Sequence, residues 1–318
     1  MNILQIKTSG GLFDFSKYGY RLDRVLNNQN RWDTKIVCAV FDKDLRHCVS
    51  TTYAKEHDYL KFVELTTFLG CQGRFSPKII ALYPQERTAI CGYVGTFLQD
   101  YLLENPQKIE LVMSKIFDYL RDLNEINRSR RRFVIPSIVS ALLELSKDLD
   151  SELAFMPKSR QVLAQLCDSG VTLNYGYGIE DPHIWNFRIS EFPAAIQAFT
   201  TDFDYLSDAQ NCFWEMGYLY ATFRWLREKA ISETKTAEES ILCLVQGKGP
   251  ESEFMFWLGA LSSYCGYKDS LRSFMKRESL HELETKYTII NTLDEKVASL
   301  AENLQAKTGR SSSDQKHK

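Results

Sequence analysis

Apolar and polar residues recur along this chain with two different periods. Over the first third the apolar residues fall in short runs rich in β-branched side chains. Residues 35–41 (KIVCAVF) and 48–54 predict two strands, with Asp42, Lys43 and Asp44 as the turn of a hairpin. Residues 58–69 (DYLKFVELTTFL) spread Leu60, Val63, Leu65 and Phe68 over successive turns and stop at Gly70, which predicts a helix. Residues 77–83 and 88–94 predict two more strands joined by the polar turn 84–87, so the local order is β-β-α-β-β. From Gly95 onward the period lengthens, and 97–103, 109–124, 135–149 and 159–167 predict helices. One interruption follows over 171–203. A turn-rich run (NYGYGIEDPH) predicts a loop, and NFRIS and IQAFTTDF predict a small hairpin. Helices are expected again over 209–228, 236–244, 253–275 and 294–305. The polar end, KTGRSSSDQKHK, carries too few apolar residues to fold. The class is α+β: a β-rich part over 1–94, a mainly helical part over 95–306 and an unstructured tail over 307–318.

Composition narrows this picture without redirecting it. With 318 residues, 44% hydrophobic and 25% charged, the chain is neither disordered nor fibrous, and it is long enough for a sizeable core. Its 39 Lys and Arg against 41 Asp and Glu leave a formal net charge of -2, so no global basic field invites nucleic acid. The eight cysteines form no C-x-x-C pair and no zinc-type spacing, and they read as reduced, mostly buried thiols. The start MNILQIKTSGG lacks the features of a secretory signal, and no apolar stretch reaches membrane-spanning length. A cytoplasmic protein without a membrane or nucleic-acid partner is expected, its oligomeric state unreadable.

The chemistry concentrates in the interruption. Asp181 and Asn186 stand five residues apart, and Asp202, Phe203 and Asp204 follow at the end of the predicted hairpin. Magnesium wants hard oxygen donors and keeps several waters, so one carboxylate, one amide and substrate phosphates suffice to hold it. This segment resembles the aminoglycoside phosphotransferase and choline kinase family of the protein-kinase-like superfamily, with its H-G-D-x-H-x-x-N loop followed by an I-D-[WF]-[DE] strand. Asp181, His183, Asn186, Asp202, Phe203 and Asp204 carry the match. The run from Tyr93 to Leu98 (YVGTFL) is similar to the family's E-Y-[IV]-x-G-x-x-L hinge.

The resemblance implies a two-lobed protein-kinase-like fold, with a small β-rich N-terminal lobe on the nucleotide side and a large, mainly helical C-terminal lobe. It implies an ATP- and magnesium-dependent transfer of phosphate to a hydroxyl of a small molecule. Asp181 would orient the acceptor hydroxyl, Asn186 and Asp202 would hold magnesium, and Asp204 would help with a second ion. Lys55 would contact the phosphates with Glu64 as its ion-pair partner; Lys35 or Lys61 is open in place of Lys55, and Glu56 in place of Glu64. The backbone around Cys91, Tyr93 and Val94 would form the adenine-binding hinge. Two departures stand beside the match. Ile179 and Glu180 replace the family's His-Gly, and no G-x-G-x-x-G run precedes the hairpin at 35–54, Gly10 and Gly11 lying too early. They leave open a pseudokinase-like nucleotide-binding or protein-interaction module without catalysis. A nucleotide-sugar transferase would explain Asp202 and Asp204 but not Asp181 and Asn186.

The remaining features have plainer readings. Arg128, Arg130, Arg131 and Arg132 could attract phosphate or nucleic acid, but a charged lead into the helix at 135–149 is the commoner explanation of such a run. Phe213, Trp214, Tyr218, Tyr220, Phe223 and Trp225 have the spacing of a helix packed in a core. Glu215 and Glu180 would suit an acceptor pocket for a cationic substrate and Asp208 a helix N-cap; His183 reads as a core histidine or, as the resemblance implies, a brace for the loop, and bracing is favoured over chemistry.

Overall fold

The structure, a computed structural model, describes residues 13–26, 35–71, 77–93, 95–135, 158–191, 196–200, 206–227, 234–266 and 280–314. The chain divides into two compact units. One holds Met1–Phe97 and Phe187–Tyr205, the other Leu98–Asn186 and Leu206–Lys318.

The first unit is built on a five-stranded antiparallel sheet of order β1-β2-β3-β5-β4, from β1 (Arg21–Val25), β2 (Lys35–Phe41), β3 (His47–Tyr53), β4 (Ile79–Tyr83) and β5 (Thr88–Gly92). The hairpin at 35–54 forms as expected. Asp42 turns it by accepting the N–H groups of Asp44 and Arg46 at 2.9 and 2.8 Å. Helix α1 (Glu56–Gly70) follows β3, and its Tyr59 and Phe62 rings pack on Tyr53. Because strand side chains alternate, the sheet has two unlike faces. Ile36, Cys38, Val40, Cys48 and Ile90 form a core under Phe13 and Phe15 on one face. Lys35, Val37, Val49 and Thr51 lie on the other, with Tyr53, and are only half-buried.

Strand β1 escaped the sequence pattern, since its five residues, RLDRV, include three charges and only Leu22 and Val25 pack against the core. Beyond β5 the chain enters β6 (Thr96–Phe97), which pairs with β9 (Phe187–Ser190) of the expected second hairpin, completed by β10 (Gln197–Thr200). The Arg188 guanidinium sits over the Phe97 ring, its Cζ 3.2 Å from the centroid.

The second unit is mainly helical: α2 (Leu98–Glu104), α3 (Ile109–Glu125), α4 (Ser159–Asp168), α5 (Cys212–Arg227), α6 (Thr234–Val245), α7 (Pro250–Gly266) and α8 (Leu280–Asp314). Helices α5 and α7 pack closely, with Tyr220 against Phe256 and Trp214 Nε1 donating to Ser262 Oγ at 3.2 Å. Asp294 of α8 reaches across to the first turn of α4. Its carboxylate accepts the Lys158 N–H at 2.5 Å, the Ser159 N–H at 3.3 Å and the Ser159 hydroxyl. A buried carboxylate thus does for α4 what an N-cap side chain usually does. Asp294→Ala is expected to cost about 2 kcal/mol in urea unfolding by stranding these donors.

Three sequence expectations fail in this unit. The stretch read as a loop is strand β8 (Thr172–Ile179), between β7 (Ser129–Arg132) and β11 (Leu206–Gln210). Its glycines serve close approach: a Cβ on Gly176 would lie 1.8 Å from the Asn124 carbonyl oxygen, and one on Gly178 2.7 Å from a Glu215 carboxyl oxygen. Residues 209 and 210, expected to open a helix, belong to β11, and Asp208 with them. The N-cap is Asn211, whose Oδ1 accepts the Phe213 N–H at 3.0 Å. The polar end, expected without structure, continues α8 as far as Asp314. The helix predicted over 135–149 falls outside the described residues apart from Ile135, which is not helical.

Candidate active site

Strand β8 ends at Ile179, and Glu180 to Asn186 form a tight loop closed by a 3-10 turn over Ile184–Asn186. Its hydrogen bonds converge on one atom. The Asp181 carbonyl oxygen accepts the His183 N–H at 2.8 Å and Asn186 Nδ2 at 2.7 Å, while the His183 carbonyl accepts the Asn186 N–H at 2.8 Å. Asp181 and Asn186 are therefore tied to each other inside one small ring of contacts. Pro182 and Ile184 are buried beneath it, and Asp181 and Asn186 are half-buried.

His183 is buried and stacks on Trp185, ring centroids 4.0 Å apart and planes 29° apart; its Nδ1 accepts the Trp185 N–H at 3.4 Å. The Trp185 indole N–H in turn donates to Gln99 of α2. His183 thus braces the loop, as its sequence position suggested.

The loop is also held from below. Glu215 of α5 is fully buried, and one carboxyl oxygen accepts the Ile179 N–H, two residues before Asp181; the other lies buried without a partner among the described residues. Burial drives the Glu215 pKa well above its ordinary value of 4.5, against the pull of the Ile179 N–H. A neutral carboxyl is what such a dry site stabilises. Glu215 therefore does not line an acceptor pocket, as its charge had suggested; it anchors the loop's base. The signal was present in the sequence as one carboxyl inside the apolar run FWEMGYLY.

Of the other expected site residues, the described ones lie in the first unit. Lys55 is exposed immediately before α1, and Glu64 is exposed on that helix; among the described residues no ion pair joins them. Cys91 is buried in β5, its thiol pushed up to about 12 by burial, so only its backbone is available to a ligand. Tyr93 is exposed beside His47, the ring centroids 5.7 Å apart. Val94, Asp202 and Asp204 lie outside the described residues. Among those described, no three His, Cys, Asp or Glu side chains cluster as metal ligands. Arg130, Arg131 and Arg132 sit on β7 with Arg128 just before it, and three of the four are paired: Arg128 with Glu125, Arg130 with Glu251 at 3.4 Å and Arg131 with Asp208 at 3.2 Å. The cluster is the plain charged surface of a strand.

Solved structures resemble this chain over most of its length. The aminoglycoside phosphotransferase APH(4)-Ia matches with a TM-score of 0.52 at 9% identity, over 89% of this chain and 94% of that one. The aminoglycoside phosphotransferase of Alicyclobacillus acidocaldarius matches with a TM-score of 0.50 at 11% identity, over 91% and 95%. The chain has the aminoglycoside phosphotransferase fold. The first unit is β-rich and the second mainly helical; the β9–β10 hairpin, expected within the helical part over 95–306, groups with the first unit instead, where β9 pairs with β6. By sequence, no family model and no curated protein matches the chain. Among the described residues, no helix is long and apolar enough to cross a membrane.

Proposed function

We propose that the chain is an ATP- and magnesium-dependent phosphotransferase acting on a hydroxyl of a small molecule. The observation that carries this reading is the loop in which Asp181 and Asn186 are bound to each other at the end of β8, in a phosphotransferase fold. Asp181 accepts or orients the proton of the acceptor hydroxyl, its backbone being held in place by the loop's hydrogen bonds.

The donor set suits magnesium. Nδ2 of Asn186 is spent on the Asp181 carbonyl, which fixes the flip of the amide and turns its oxygen, a hard donor, the other way. Asn186 and Asp202 would hold the ion, with Asp204 for a second, and its charge would offset that developing on the transferring phosphoryl group. The backbone at Cys91, Tyr93 and Val94 would take the adenine. The missing His-Gly before Asp181 does not leave the loop unbraced, since Glu215 holds the Ile179 N–H and His183 stacks on Trp185.

Asp181→Asn tests the role of the carboxylate. Nucleotide affinity and melting temperature should stay as in the wild type, while turnover, read as ADP release with a panel of small alcohols, falls roughly a hundredfold to ten-thousandfold. Equal turnover in the two proteins would remove Asp181 from the chemistry.

A further inference from the structure

The fold raises a question that the resemblance leaves open: where the lysine that meets the phosphates comes from. In protein kinases it stands on β3 of the small lobe and pairs with an acid on the following helix. Here β3 runs His47–Tyr53 and contains no lysine on either face. Lys55, two residues beyond it, is exposed ahead of α1, with no ion pair to Glu64 among the described residues.

The neighbouring strand supplies what β3 lacks. The β2–β3 register sets Lys35 opposite Tyr53, so the two side chains leave the same face of the sheet, the face on which Tyr59 and Phe62 of α1 pack against Tyr53. Among the described lysines of the first unit, Lys35 is the one set within a strand of this sheet. Lys17 is on a 3-10 turn beside Tyr18, Lys43 is in the β2–β3 turn, Lys61 is on α1, and Lys78 precedes β4.

That face also carries Val37, Ala39, Val49, Thr51 and Ala89; Ala39 and Ala89 are buried, while Val37, Val49 and Thr51 are half-buried, like Lys35 itself. Cys91, at the hinge end, pairs with Val49, four residues along β3 from Tyr53. At 3.3 Å per residue along β3, and with two strand spacings of about 4.8 Å across it from β5 to β2, the hinge lies roughly 16 Å from Lys35, within the combined reach of an extended nucleoside triphosphate and a lysine side chain.

We propose that Lys35, presented by β2, is the residue that binds the nucleotide phosphates, in place of the lysine that the fold elsewhere carries on β3. This rests on the nucleotide reading above and assigns its cation. An ammonium on a half-covered apolar face gives a stronger contact to a phosphate than a fully solvated one, because less water competes for it.

Two measurements on the full chain test this. In thermal-shift titrations with ADP and Mg²⁺, Lys35→Met should keep the ligand-free melting temperature and weaken binding roughly tenfold to a hundredfold, while Lys55→Met binds as the wild type. Wild-type affinity in Lys35→Met, or a loss confined to Lys55→Met, overturns the assignment. The second measurement needs no variant: an acyl-phosphate derivative of ADP passes its acyl group to a nearby lysine amine, forming an amide and releasing the nucleotide. Peptide mapping should find the label on Lys35, and excess ATP should suppress it. A label on Lys55 or Lys61 instead contradicts the proposal. A wild-type protein that neither shifts nor takes the label overturns the nucleotide reading itself, and so separates that failure from a misplaced lysine.

Discussion

Asp202→Ala should reduce turnover roughly a thousandfold or more while circular dichroism and the ligand-free melting temperature stay unchanged. In the role proposed for it, Asp202 holds magnesium, and losing such a ligand forfeits several kcal/mol of charge stabilisation in the transition state, each 1.36 kcal/mol being a factor of about ten in rate. The same variant should lose the magnesium-dependent part of nucleotide binding and keep the magnesium-independent part. Asp204→Ala should lose less, because it is assigned to a second ion. An Asp202→Ala protein with full activity would refute the metal assignment, whatever the status of Asp181.

The second large effect concerns stability. Glu215→Ala removes the acceptor of the Ile179 N–H in a fully buried place and leaves a cavity beside Gly178. An unpaired buried donor and a lost side chain together should cost about 4 kcal/mol in chemical denaturation. Glu215→Gln keeps both the shape and an acceptor oxygen and should be tolerated.

The pH dependence has a definite sign. The folded-state pKa of Glu215 lies well above its ordinary 4.5. Below that value folded and unfolded chains both carry the proton and its contribution to stability is fully present. As the pH rises above it the unfolded chain ionises while the folded one resists, so that stability is progressively lost up to the folded-state pKa. Glu215→Gln cannot ionise. Its melting temperature relative to the wild type should therefore climb with pH above about 4.5, and a difference that stays flat would mean that Glu215 is not held neutral.

These residues also show what a single sequence makes legible. The strands at 35–41 and 88–92, the helix α3 and the β9–β10 hairpin follow from runs of apolar side chains, each packing within its own unit, and their pattern is visible in the sequence. The loop from Asp181 to Asn186 was legible because its spacing is local: the same five-residue step that makes a motif closes the hydrogen bond from Asn186 to the Asp181 carbonyl. Strand β8 was not, because Gly176 and Gly178 read as turn residues when taken alone. Their purpose appears only when the Asn124 backbone and the Glu215 carboxyl come within contact range, from positions 52 residues before Gly176 and 37 after Gly178. Strand β1 was hidden by charge, since an edge strand needs only two inward apolar residues. Lys55 was the natural sequence choice for a phosphate lysine because it follows β3 in the chain; the cross-strand register, which sequence order does not encode, brings Lys35 forward instead.

The central claim is that the chain binds a nucleotide together with magnesium, and a thermal-shift titration of the wild-type protein with ATP and with ADP, each with and without Mg²⁺, tests it most directly. At about 100 times its Kd a ligand adds roughly 2.7 kcal/mol to the folded state, which is readily seen as a rise in melting temperature. The expected result is a rise with either nucleotide that grows when magnesium is added. An unchanged melting temperature with every nucleotide, with or without the metal, would contradict it.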